Sequence, residues 1–85
     1  MREITIDLSA CGSRQDLHEK LALRFAFPEW YGHNLDALHD CLTALGEPAH
    51  LRLRGHFCPE SYETALMRVL ADSARENSNF TFEQE

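Results

Sequence analysis

Positive charge is what this chain has least of. No Lys or Arg occurs between Phe25 and Leu51, and Lys plus Arg number 8 against 14 Asp plus Glu, a formal charge of −6. That balance repels nucleic acid and anionic lipid and favours a basic partner. It also aids solubility, so where the acids gather is more telling than their sum. Long apolar runs are absent, which excludes a bilayer-spanning helix, and MREITIDL lacks the charged-then-apolar layout of a signal peptide. A cytoplasmic protein with no membrane association is the expectation. Cysteine is scarce: Cys11, Cys41 and Cys58 are irregularly spaced, with no C-x-x-C and no zinc-type Cys/His pairing. Reduced thiols are expected, with no disulfide framework, no metal and no cofactor.

What is present is ordinary for one globular domain over residues 1–85, with 44% hydrophobic and 26% charged residues. Ile4, Ile6 and Leu8 alternate with Thr5 and Asp7, as in a half-buried strand. After Gly12, Ser13 is a helix cap with Asp16 three residues on, and Leu17, Leu21 and Phe25 form one apolar stripe. Pro28 and Gly32 mark a loop. A second helix fits Asn34 to about Leu45, stopped by Gly46 and Pro48. A strand fits His50 to Arg54. A third helix begins near Pro59, with Glu60 and Glu63 at its start and Tyr62, Leu66, Val69 and Leu70 as its stripe. Asn77, Ser78 and Asn79 break it, and Phe80 and Phe82 flank Thr81 in a last strand.

The order β-α-α-β-α-β implies parallel strands joined by crossovers. Strands buried on both faces would be apolar throughout. These alternate, so the expectation is a two-layer α/β fold, a three-stranded parallel sheet with helices packed mainly on one face. On the open face Arg52 and Arg54 are positioned to offset Asp7 and Glu83.

The second helix carries the chemistry. With Leu35 at zero and 100° per residue, Leu38, Leu42 and Leu45 fall at about 300°, 340° and 280°, a compact buried stripe. Asp36, Asp40 and Thr43 fall on the far side, at about 100°, 140° and 80°, with His39 on the shoulder at about 40°. Asp36 and Asp40 are like charges at i, i+4, mildly unfavourable in an isolated helix, and no Lys or Arg nearby in sequence offsets them. Such a face is often merely solvated. Here Trp30 and Tyr31 adjoin it in a loop, and large rings beside acids have the composition of an interface anchor, though either ring can instead turn inward.

The segment FPEWYGHNLDALHDCLT, Phe27 to Thr43, resembles the binding segment of the barstar family, intracellular inhibitors of ribonucleases. In that family a P-E-aromatic-aromatic-G-x-N-L-D-A-L-x-D-C-L-T run joins the first two helices, and Pro28 to Gly32, Asn34 to Leu38 and Asp40 to Thr43 match it. The resemblance implies a three-stranded parallel sheet and a basic ribonuclease as partner. It implies that the residue at Asp40 enters the enzyme's phosphate pocket and that Asp36 pairs with basic side chains at its edge. Trp30 would pack on the catalytic end, Gly32 and Asn34 would shape or contact the interface, and Asp72 would be an acid near the rim. Carboxylates can replace a phosphodiester among Arg, Lys and His through charge-assisted hydrogen bonds.

Three departures stand out. His39 replaces an aromatic common before the key acid, Leu45 stands where tryptophan is typical, and the stretch after the second strand is shorter. His39, between two acids, is a proton-sensitive element of that face. The expected role is therefore a monomeric inhibitor of a cognate ribonuclease, self-made or a competitor's toxin, rather than an enzyme. A barstar-fold module for another basic protein is the alternative. An acid–base enzyme using Asp36, Asp40 and His33 or His39 lacks a pocket to perturb them. A metal site of His33, Asp36 and Asp40 lacks the spacing of a known centre.

Overall fold

The computed structural model of this chain describes residues 2–85. Strand β1 (Arg2–Asp7) leads through a short 3₁₀ turn (Leu8–Ala10) to helix α1 (Arg14–Phe25) and helix α2 (Leu35–Thr43). Strand β2 (Ala49–Arg54), helix α3 (Glu60–Glu76) and strand β3 (Phe80–Gln84) follow. The sheet order is β1-β2-β3, with both pairs parallel. This is the α/β arrangement that the alternating strands imply. The first strand gives up Leu8 to the turn, and α2 ends two residues earlier than its periodicity suggests.

Register explains the two faces. Ile4 pairs with Leu51 and Leu51 with Phe82, while Ala49 pairs with Phe80, which puts one continuous apolar row beneath the helices. Ile4, Ile6, Leu51, Leu53 and Phe80 are buried there with Leu17, Leu21, Leu38, Leu42, Leu66 and Leu70 from the three helices. Truncating a fully buried leucine such as Leu42 to alanine would cost about 2–5 kcal/mol. The opposite row, Thr5, Arg52 and Glu83, faces outward. Arg52 reaches Glu83 at 3.2 Å, as the sequence suggests, but Arg54 reaches Glu85 at 3.0 Å rather than Asp7. Asp7 instead caps the 3₁₀ turn, accepting from the Ser9 amide at 3.0 Å and the Ser9 hydroxyl at 2.5 Å.

Each helix that frames the α1–α2 loop is closed by named groups. Ser13 accepts from the Asp16 amide and Asp16 accepts from the Gly12 amide, both at 3.0 Å, a displaced capping box. At the other end of α1, the Arg2 guanidinium donates to the carbonyls of Arg24 and Phe25 at 2.7 and 3.3 Å. Helix α2 has only 9 residues, too few to be stable alone. Asn34 caps its start, accepting from the Ala37 amide at 2.8 Å. The Asn77 side-chain nitrogen Nδ2, just past α3, lies 2.9, 3.3 and 3.1 Å from the carbonyls of Leu42, Thr43 and Leu45, to which it can donate. Residues that read as helix breakers thus satisfy the carbonyls that α2 leaves orphaned.

Candidate functional site

The loop between α1 and α2 turns twice through left-handed backbone. Ala26 (φ 59) ends α1, and His33 (φ 54) sets up the Asn34 cap. Neither is glycine, so each position carries local strain that the surrounding contacts hold in place. Between them the Tyr31 amide donates to the Pro28 carbonyl at 3.0 Å, closing a turn over Pro28-Glu29-Trp30-Tyr31. That turn separates the two rings. Trp30 is 73% exposed, whereas Tyr31 is 3% exposed and packs at tilted angles among Phe27, His18 and His33.

Tyr31 therefore does not form the surface anchor expected of it beside Trp30. Its ring belongs to the core, and its hydroxyl lies 2.6 Å from Nδ1 of His18. Burial pushes the Tyr31 phenol well above its ordinary value, so it stays neutral. Gly32 and Asn34 are exposed. The Asn34 side chain is already engaged, donating to the Gly32 carbonyl at 3.2 Å while capping α2. A Cβ at Gly32 would sit 3.0 Å from Asn34 Nδ2, so a side chain there would push on the cap itself.

On α2, Asp36 and Asp40 are both exposed, and neither carboxylate takes part in an ion pair or side-chain hydrogen bond among the described residues. The fold does bring one cation near. Arg14 of α1 lines the same groove of about 330 Å³ as Asp36, with His33 and Tyr62. Its guanidinium lies 4.6 Å above the Tyr62 ring and leaves Asp36 unpaired. A second groove, about 280 Å³, runs beside Trp30 along Phe27, Cys41 and Leu45.

The remaining candidates are engaged within the chain. His39 Nε2 meets a Glu76 carboxylate oxygen of α3 at 2.5 Å, so this imidazole has its own acidic partner besides its two helix neighbours. The Thr43 hydroxyl donates back to the carbonyls of His39 (2.8 Å) and Asp40 (3.2 Å), which binds it into the helix rather than presenting it. Asp72 is half-buried on α3 and pairs with Arg75 one turn on. Trp30, Gly32, Asn34, Asp36 and Asp40 are all exposed, Asp36 lining one groove with Asn34 and His33, and Trp30 lining the other with Cys41 and Leu45. Tyr31 is withdrawn into the core, the half-exposed Thr43 spends its hydroxyl on the helix backbone, and His39 and Asp72 are tied to charged partners.

The family profile described as Barstar (barnase inhibitor) matches residues 1–84. The chain belongs to the barstar family. A Bacillus subtilis (strain 168) protein named "Putative ribonuclease inhibitor YrdF" is 49% identical over 43 residues. That alignment covers 51% of this chain and 47% of the relative, about half of each. Two residues that brace this candidate site are not marked by local sequence pattern. His18 and Asn77 hold the loop and α2 from outside the segment Phe27 to Thr43, and only their long-range partners reveal them. No helix of the described residues is long and apolar enough to cross a membrane.

Proposed function

We propose that this chain is a protein inhibitor of a ribonuclease, acting as a plug: the exposed face of α2 enters the enzyme's basic active site while Trp30 packs beside it. The observation that carries this reading is the pair of exposed, unpartnered carboxylates, Asp36 and Asp40, on the helix that follows a strained loop bearing a 73% exposed tryptophan. A ribonuclease holds cations around the phosphodiester it cleaves, and these two carboxylates offer such cations charge-assisted hydrogen bonds without first breaking an internal ion pair. Asp40 supplies the central contact and Asp36 the one at the edge. Gly32 keeps the loop low, and Asn34 fixes the helix start. His39, with Glu76, and Asp72 lie toward the rim.

The family description and the relative's name support a ribonuclease as the partner class. The net charge of −6 adds long-range attraction to a basic enzyme. The chain performs no catalysis in this reading, and it works in the cytoplasm as a monomer that protects against a self-made ribonuclease or a toxin. The test is RNA cleavage by a barnase-type ribonuclease titrated with the protein. Stoichiometric loss of cleavage is the expected result. If no member of a panel of small bacterial ribonucleases is inhibited and a different basic protein is recovered in a pull-down, the inhibitor reading fails and the alternative module stands.

A further inference from the structure

The fully buried His18 (0% exposed) joins three elements that are far apart in sequence. Its Nδ1 lies 2.6 Å from the hydroxyl of Tyr31 in the loop, and its Nε2 lies 2.6 Å from the hydroxyl of Tyr62 on α3. A neutral imidazole has one N–H donor and one bare nitrogen, so one tyrosine accepts and the other donates. We infer that His18 is a positioning residue for the recognition loop, anchoring Tyr31, and with it the turn that projects Trp30, to α1 and α3 through a buried Tyr–His–Tyr hydrogen-bond chain.

The connectivity supports this role. Tyr31 has no other partner for its hydroxyl among the described residues, and its carbonyl meets His33 Nδ1 at 3.0 Å, in the strained residue just before the Asn34 cap. Holding the Tyr31 ring therefore holds both sides of the loop: the turn behind Trp30 and the entry to α2. No contact between His18 and a partner enzyme is required.

The anchor is also sensitive to protons. On protonation both ring nitrogens become donors, so the hydroxyl that had donated to His18 loses its acceptor. The groups facing this site offer nothing in return. His33 in the loop and Arg14 above the Tyr62 ring are basic side chains, Tyr31 and Tyr62 are phenols whose ionisation burial opposes, and Cys41 on α2 is a thiol raised by burial. The histidines that pair with carboxylates are His39, His50 and His56, and His18 is not among them. Burial first, and the charge of His33 second, push His18 down to about 4.

This inference rests on the inhibitor reading, and its test separates the two. In the free full-length protein at pH 7, amide hydrogen exchange is compared between the loop, residues 30–34, and β2. Tyr62→Phe removes one end of the chain of bonds conservatively. It is expected to speed loop exchange about tenfold, the order of one lost hydrogen bond, while β2 stays unchanged. Dissociation of the ribonuclease complex should quicken by a similar factor with little change in association rate. His18→Gln, which can donate and accept, should retain more loop protection than His18→Leu. In the wild type, loop exchange corrected for its intrinsic pH dependence should accelerate ahead of β2 as pH falls toward about 4, and His18→Gln should abolish that lead. Loop and β2 amides responding alike, in Tyr62→Phe and across the wild-type pH series, would overturn the inference. If the wild type inhibits no ribonuclease, the functional reading falls, and the exchange data still decide the role of His18.

Discussion

Two exposed charged surfaces of this molecule are built on opposite principles. On the open face of the sheet, His50 and Arg52 reach Glu83, and Arg52 and Arg54 reach Glu85, at 2.9 to 3.6 Å, so nearly every charge there has a neighbour of opposite sign. On the outer face of α2, Asp36 and Asp40 stand four residues apart, and neither forms an ion pair among the described residues, although Arg14 lines the same groove as Asp36. The sheet face is internally satisfied and gains nothing from a partner's charge. The helix face keeps a small repulsion that a cationic partner would relieve. In the proposed function it is unpaired charge, rather than charge alone, that makes the binding surface.

The largest test of that contrast is Asp40→Ala. It should weaken inhibition of a sensitive ribonuclease by about 10- to 100-fold, as expected for losing hydrogen bonds to a charged group, with a melting temperature that stays level or rises slightly. Equal weakening by Glu47→Ala would mean that the α2 face is not special. Acid has an effect of at least the same size, on stability rather than binding. His18 is near 4 in the folded protein against about 6.5 unfolded, so the unfolded chain binds the extra proton between those values. The stability from keeping His18 neutral is present in full above about pH 6.5 and is lost as pH falls through about 4, amounting to about 3 kcal/mol. Urea midpoints at pH 7.5, 5 and 4, for wild type and His18→Gln, measure it as the difference between the two curves.

Asn77→Ala should cost about 1–3 kcal/mol, because the Thr43 carbonyl loses its side-chain donor while Leu42 and Leu45 keep the Leu45 backbone amide and the Asn79 side chain, respectively. Thermal melting reads this directly, and an unchanged melting temperature would show that water replaces the clamp. The smallest effect belongs to the paired face. Arg52→Ala should change stability by no more than about 1 kcal/mol and leave ribonuclease inhibition unaltered.

Much of the fold could be read from local pattern. Period-two alternation marked the strands with their polar second face, and Ser13, Asn34 and the Pro59 region marked helix starts near where they occur. The same wheel that buried Leu38 and Leu42 put Asp36 and Asp40 outward, and the accessibilities agree. What stayed hidden depends on contacts across the chain. Nothing local says that Trp30 turns out while Tyr31 turns in, because the choice is made by a turn closed on Pro28 and by a histidine on α1. Ala26 and His33 take left-handed backbone without the glycine that would announce it. Asn77 looks like a breaker until its carbonyl partners, more than thirty residues away, are seen. The gap in positive charge was real in sequence, yet Arg14 enters the neighbourhood of Asp36 from α1 and is held over Tyr62 instead of neutralising it.

The central claim is that local, unpaired carboxylates, not total charge, make the inhibitor. It is tested most directly by two double variants that change net charge equally. Asp36→Asn with Asp40→Asn alters the α2 face, and Glu83→Gln with Glu85→Gln alters the sheet face. Inhibition of RNA cleavage by a barnase-type ribonuclease, measured for both at the same salt concentration, should be lost in the first and kept in the second. Equal inhibition by the two would contradict the account.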